Sequence, residues 1–185
     1  VEVTMRNLGA MAARAVHVPM AAPWVQAAVG GLALVLGGLV YALDRGGWPL
    51  TQLAGFAGLT GLAGATAAPW FGSVGGWLPS LVHPFAFSLF TAALRAPGAP
   101  PATLACAAWG LVNVLFELGQ HPRVGPVLAA HLESAFGAAG GARALAHFFA
   151  RGRFDPADLA AAVAGAAAAA VWLRVASSRK DRHDC

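Results

Sequence analysis

Residues Trp24 to Leu43, WVQAAVGGLALVLGGLVYAL, form a run of 20 without one charged side chain. A helix needs about 20 apolar residues to cross the hydrocarbon core of a bilayer. Pro23, just before the run, suits the first position of a helix, and Trp24, Tyr41 and Trp48 suit the two membrane interfaces. The run is too long for the core of a signal peptide, and no small-x-small cleavage site closes it before Asp44 and Arg45. A retained membrane anchor is therefore expected.

Composition extends that reading to the whole chain. Of its 185 residues, 58% are hydrophobic and 11% charged, against roughly 25% charged in a soluble domain. So few charges cannot cover a globular surface, whereas lipid accepts apolar side chains freely. The formal net charge of +4 would suggest nucleic acid in a soluble protein. Here the basic residues lie in loops and tails, where they set topology and touch anionic head groups, so no nucleic-acid partner is expected. Cys106 lies inside an apolar segment and Cys185 ends the chain; neither shows metal-ligand spacing, and a buried thiol and an exposed tail thiol are expected.

The expected fold class is all-α, a polytopic membrane bundle of four, or five, transmembrane helices. Spans are expected at about Trp24–Leu43, Leu78–Leu94, Ala102–Leu118 and Leu159–Val175. Pro84 either kinks the second of these or marks its true start. The stretch 51–68, with glycines at 55, 58, 61 and 64, either spans as a fifth helix or lies re-entrant. Residues 69–79, PWFGSVGGWLP, read as an interfacial turn. In the long loop 121–154, residues Val127–Phe136 carry apolar side chains at helical spacing, which suggests one short helix on the membrane surface. This divides the chain into a cytoplasmic segment 1–23, a transmembrane domain 24–175 and a charged tail 176–185.

With four spans, seven Lys and Arg side chains fall on the side of both termini and five on the other, which places both termini of a multi-pass cell-membrane protein in the cytoplasm. With five spans the count is six against six and gives no bias.

Polar groups are scarce near the spans, so each carries weight. Consecutive spans run antiparallel. The start of the Leu78 span, the end of the Ala102 span and the start of the last span therefore share one face. That parity gathers His83, Glu117, Gln120, His121, Arg153, Asp155 and Asp158, on the extracytoplasmic side in the four-span arrangement. Asp155 before Pro156 fits a helix N-cap, and Asp158 falls in the first turn. Capping alone explains both aspartates; a site explains them as well. Glu117, Gln120 and His121 at i, i+3 and i+4 share a helix face. A partly buried carboxylate must be paired or protonated, with Arg151, Arg153 and His83 as candidate partners. The cluster is either a polar clamp between helices or a binding site that also clamps. A metal centre on His83, Glu117, His121 and an aspartate lacks an HExxH or paired ExxH motif, and Ser80, Ser88 and Ser134 lack a nucleophile elbow. No metal and no cofactor are expected.

The runs LPSLVHPFAFSLFTAAL, WGLVNVLFELGQ and FFARGRFDPADLAAAVAG resemble the VanZ-like membrane proteins. That family shows a His-containing helix, a Glu-x-x-Gln at the end of the next, and an Arg and Asp-x-x-Asp leading into a last glycine-containing helix. The matching positions are His83, Glu117, Gln120, Arg153, Asp155, Asp158 and Gly165. The likeness covers about Leu78 to Val175, without a clear counterpart between Gln120 and His147. Many members carry Asn where this chain has Ala162, and the loop from His121 to Arg151 is long for the family. The resemblance implies a small multi-span envelope protein; the founding member is associated with low-level resistance to the glycopeptide teicoplanin.

Three function classes remain. A ligand- or lipid-binding protein would use Arg153 for an anionic group, Glu117 and Asp158 as acceptors, and His83 as the titrating member. An accessory subunit would dock partner transmembrane helices on small-residue faces such as Gly30, Gly31, Gly37 and Gly38. A membrane enzyme acting on a lipid-linked substrate would use Glu117 or Asp158 as general base with His83. A transporter fits less well, since the charged groups gather at one face.

Overall fold

A computed structural model describes residues 22–44, 70–96, 99–137 and 140–181. The segment 1–21, the glycine-rich stretch 51–68 and the last four residues, with the expectations placed on them, lie outside the described residues. Those described form six helices and no strand: α1 (Pro23–Asp44), α2 (Val74–Ala93), α3 (Ala102–Gly119), α4 (Gly125–Phe136), α5 (Gly140–Arg151) and α6 (Pro156–Asp181). Three of them, α1, α3 and residues Pro156–Ser177 of α6, are long and apolar enough to cross a membrane. The chain is a helical membrane protein.

Helix α2 is not among those three, and its position explains why. It packs against α1, α3 and α6, so other helices of the chain cover much of its surface. Its composition can therefore be more polar, with Ser80, His83, Ser88 and Thr91 along its length. It begins at Val74, inside the segment expected to be a turn; only residues 70–73 turn. Pro79 and Pro84 both lie within it and are both buried, so Pro84 is not its start.

Paired residues fix the helix directions. Gly30 faces the Ala86 carbonyl and Gly37 faces Val82, and Asp44 accepts hydrogen bonds from the backbone N–H groups of Trp70 (2.7 Å) and Phe71 (3.0 Å) at the approach to α2. Helices α1 and α2 are thus antiparallel. Trp109 Nε1 donates to Thr91 Oγ1 at 2.8 Å, and a Cβ at Gly110 would lie 2.8 Å from the Ala166 Cβ. Helix α6 runs parallel to α2, with Asp158 beside Ser80 and Gly165 beside Leu81.

Without a strong hydrophobic force between helices in lipid, small residues that let backbones approach supply much of the association. The tightest case is Gly165. A Cβ there would collide with the Leu81 carbonyl oxygen and sit 2.9 Å from its carbon. The buried face of α6 continues this line of small residues through Ala161, Ala162, Gly165 and Ala169. Ala162 is fully buried on this face, and a polar side chain there would need a partner. At the far end Leu89, Cys106, Ala169 and Leu173 form an apolar core, with Phe85 and Trp172 packed on it. The Cys106 thiol donates to the Ala102 carbonyl at 3.4 Å.

The loop after α3 holds two helices rather than one. Helix α5 has a periodic inner face, with Ala146 and Phe149 buried while Arg143, His147 and Arg151 are exposed. Its two leading glycines are weak helix formers and hide it in the sequence. Phe149 fills a slot whose walls are Gly119 and Gly125, which ties the α4–α5 pair to the end of α3. Gly137 ends α4 at φ +63, a conformation that glycine reaches most easily. Helix α6 runs past the expected end at Val175 to Asp181, because no Gly or Pro interrupts it.

Two outcomes test this packing. Gly165→Ala drives a methyl into backbone that cannot rotate away and is expected to cost about 1–3 kcal/mol or more, whereas Gly31→Ala, with nothing within 4 Å, is expected to leave thermal melting in detergent unchanged or slightly raised. Asp44→Ala removes both acceptors at the approach to α2 and is expected to cost about 1 kcal/mol, read from the same melts.

Candidate functional site

The helix directions bring the start of α2, the end of α3, the end of α1 and the start of α6 to one end of the bundle. A cavity of about 570 Å³ opens there. His83, Glu117, Gln120, Arg153, Asp155 and Asp158, the six residues singled out in the sequence, all line it. Tyr41, Gly76, Ser80, Asn113, Phe116 and Phe148 complete the wall.

Each wall has a local cause. On α2, Ser80 and His83 are one turn apart and face the same way. The Ser80 hydroxyl donates to Asp158 Oδ1 at 2.9 Å, tying α2 to the first turn of α6. Asp155 Oδ1 accepts the Ala157 N–H at 2.9 Å, the bond of an N-cap side chain, and its carbonyl accepts the Leu159 N–H at 3.2 Å. Asp155 therefore caps α6 while its carboxylate also lines the cavity. On α3, Asn113, Phe116, Glu117 and Gln120 recur at helical spacing along one face. Asn113 donates to the Trp109 carbonyl at 2.9 Å, which fixes its amide.

His83 stands in a column of rings. Tyr41 lies 6.5 Å from it and Phe87 6.1 Å, both nearly parallel to it, and Phe87 stacks on Trp109 at 4.9 Å. Those separations fall in the range of favourable aromatic packing, so the imidazole packs with two rings from α1 and α2. Elsewhere on the wall, Phe116 and Phe148 pair with centroids 5.8 Å apart, each 41% exposed.

Two expected members fall elsewhere. His121 does not share the face of Glu117, because α3 stops at Gly119 and the chain turns at 120–124. Its ring instead meets the edge of Phe154 at 5.3 Å and accepts the Arg123 N–H at 3.3 Å. Arg151 is exposed at the end of α5 and is not part of the wall. Sequence reasoning missed Tyr41, which reads as an interfacial anchor, and Ser80, Asn113 and Phe116, which sit inside apolar runs. Their spacing of three or four residues from His83, Glu117 and Gln120 was the available signal. Phe148 belongs to the helix the sequence did not announce.

Chemically the wall is rich in hydrogen-bond acceptors, with three carboxylates, and carries one guanidinium, from Arg153. Among the described residues no group of three or more His, Cys, Asp or Glu could hold a metal ion. Compared with family models, curated proteins and solved structures, the chain matches none.

Asp155 combines a cap with a charge, and two substitutions separate them. Asp155→Ala is expected to cost about 1 kcal/mol through loss of the cap; Asp155→Ser keeps a capping oxygen and is expected to melt within about 0.5 kcal/mol of the parent, while removing the carboxylate from the cavity.

Proposed function

We propose that this chain is a VanZ-like, multi-pass protein of the cell envelope that binds a polar head group or ligand in the cavity between α2, α3 and α6. The observation that carries the reading is the convergence of His83, Glu117, Gln120, Arg153, Asp155 and Asp158 on one cavity, from three separate stretches of chain. A polar clamp needs only partners within bonding distance. These residues instead surround about 570 Å³ of space, within the size range of small-molecule sites.

In this reading α2 crosses the bilayer as a fourth, central helix, its polar residues shielded by its neighbours. The α4–α5 pair lies at the membrane surface, with its exposed basic residues toward head groups. Both termini are cytoplasmic, and the cavity faces the other side. Arg153 takes an anionic group, and Glu117 and Asp158 accept hydrogen bonds from the ligand. The accessory-subunit reading keeps a smaller footing: Gly30 and Gly37 are used inside the chain, while Gly31 and Gly38 meet nothing within 4 Å.

Native mass spectrometry of protein gently extracted from its own membrane tests this, with wild type and Glu117→Gln side by side. The expected result is a lipid or small molecule retained by the wild type and reduced at least about tenfold in the variant, with melting unchanged. Equal loss of ligand and of fold would make Glu117 a structural clamp. A stoichiometric protein partner with no ligand would move the assignment to an accessory subunit.

A further inference from the structure

The cavity wall has an uneven balance of charge that the head-group reading does not by itself explain. The chain as a whole is basic, at +4, yet three of its eight acidic residues, Glu117, Asp155 and Asp158, line this one space. They face a single guanidinium, Arg153, and among the described residues that guanidinium makes no hydrogen bond or ion pair. A site for a simple anion would show the reverse balance, since each extra carboxylate repels the ligand. A site for a simple cation would have no use for Arg153. Aromatic rings add a third element. Phe116 and Phe148 line the same space and stand half exposed, and aromatic faces attract ammonium groups within about 6 Å of the ring.

Resting on the head-group reading, we propose that the ligand is a zwitterion, a phosphate joined through a short spacer to an ammonium group. Arg153 holds the phosphate. Glu117 and Asp158 hold the ammonium, with Phe116 and Phe148 beside it. Arg153 and Asp158 lie at the entry to α6, and Glu117 is on α3. The two ends of such a ligand would therefore bridge helices that the chain contributes separately. Aminophospholipids carry this head group in the bilayer, and phosphoethanolamine carries it in water.

The test uses the full chain in nanodiscs holding equal amounts of phosphatidylethanolamine and phosphatidylglycerol, which share a phosphate and differ in the amine. Native mass spectrometry is expected to show phosphatidylethanolamine enriched about tenfold among retained lipids. Glu117→Gln is expected to bring that ratio close to one, and Arg153→Gln to reduce retention of both lipids. A second arm adds millimolar phosphoethanolamine or glycerol phosphate to detergent-solubilised protein and reads the melting temperature. Stabilisation by phosphoethanolamine alone, with no lipid retained, supports the zwitterion and assigns it a soluble source. Equal retention of the two lipids, or enrichment of phosphatidylglycerol, overturns the zwitterion and leaves the head-group reading standing. No retained lipid and no shift with either phosphate overturns both. The wild-type ratio decides between these outcomes even if a variant fails to fold.

Discussion

Gly165 lies against the Leu81 carbonyl with no room for a Cβ at position 165, and the geometry of the polar end follows from that contact. Helices in lipid gain little from hiding apolar surface from one another, so a close backbone approach is among the few forces that can set their spacing. Where α2 and α6 meet this tightly, Ser80 comes within 2.9 Å of Asp158 and the first turn of α6 reaches the wall that His83 occupies. Larger residues at this crossing would move apart the α2 and α6 walls. Gly110 against Ala166 repeats the device between α3 and α6, so α6 is held by close approach to both of its neighbours.

The bundle is therefore uneven along its length. One end is packed with Leu89, Cys106, Ala169 and Leu173. The other encloses space lined by charge. Glu117, Asp155 and Asp158 sit at helix ends, the positions where a carboxylate costs least in a helix that crosses hydrocarbon. His83 lies further along its helix than Ser80, and the rings of Tyr41 and Phe87 pack near it. An imidazole can be neutral, so it tolerates that position better than a carboxylate does.

The sequence made the polar end legible because helix order alone decides which ends meet. His83, Glu117, Gln120, Arg153, Asp155 and Asp158 could be grouped without any knowledge of distance. Helix order does not reveal that α3 stops at Gly119, so His121 groups with the others in sequence and turns away in the structure. Nor does it distinguish positions within an apolar run. Ser80 and Asn113 are unremarkable inside them, and only their register with His83 and Glu117 marks them. Helix α5 was obscured by its leading glycines, and the start of α2 by Gly72, Gly75 and Gly76, residues that suit a turn as readily as a helix. The long apolar helices are readable because long uncharged runs leave few alternatives, whereas α2, covered by its neighbours, lacks that signature.

The slot formed by Gly119 and Gly125 has a consequence for the birth of the protein. Phe149 enters that slot from α5, and Phe148 beside it reaches the cavity, while Asp155 and Asp158 follow only with α6. A ribosome that has released α1, α2 and α3 has supplied Tyr41, Ser80, His83, Asn113, Glu117 and Gln120 but none of the opposing wall. Until α6 arrives, those polar groups face whatever the insertion machinery offers them. The cavity is thus a feature of late assembly, and a fault in placing α6 leaves α1, α2 and α3 carrying one wall of a space whose other wall is missing.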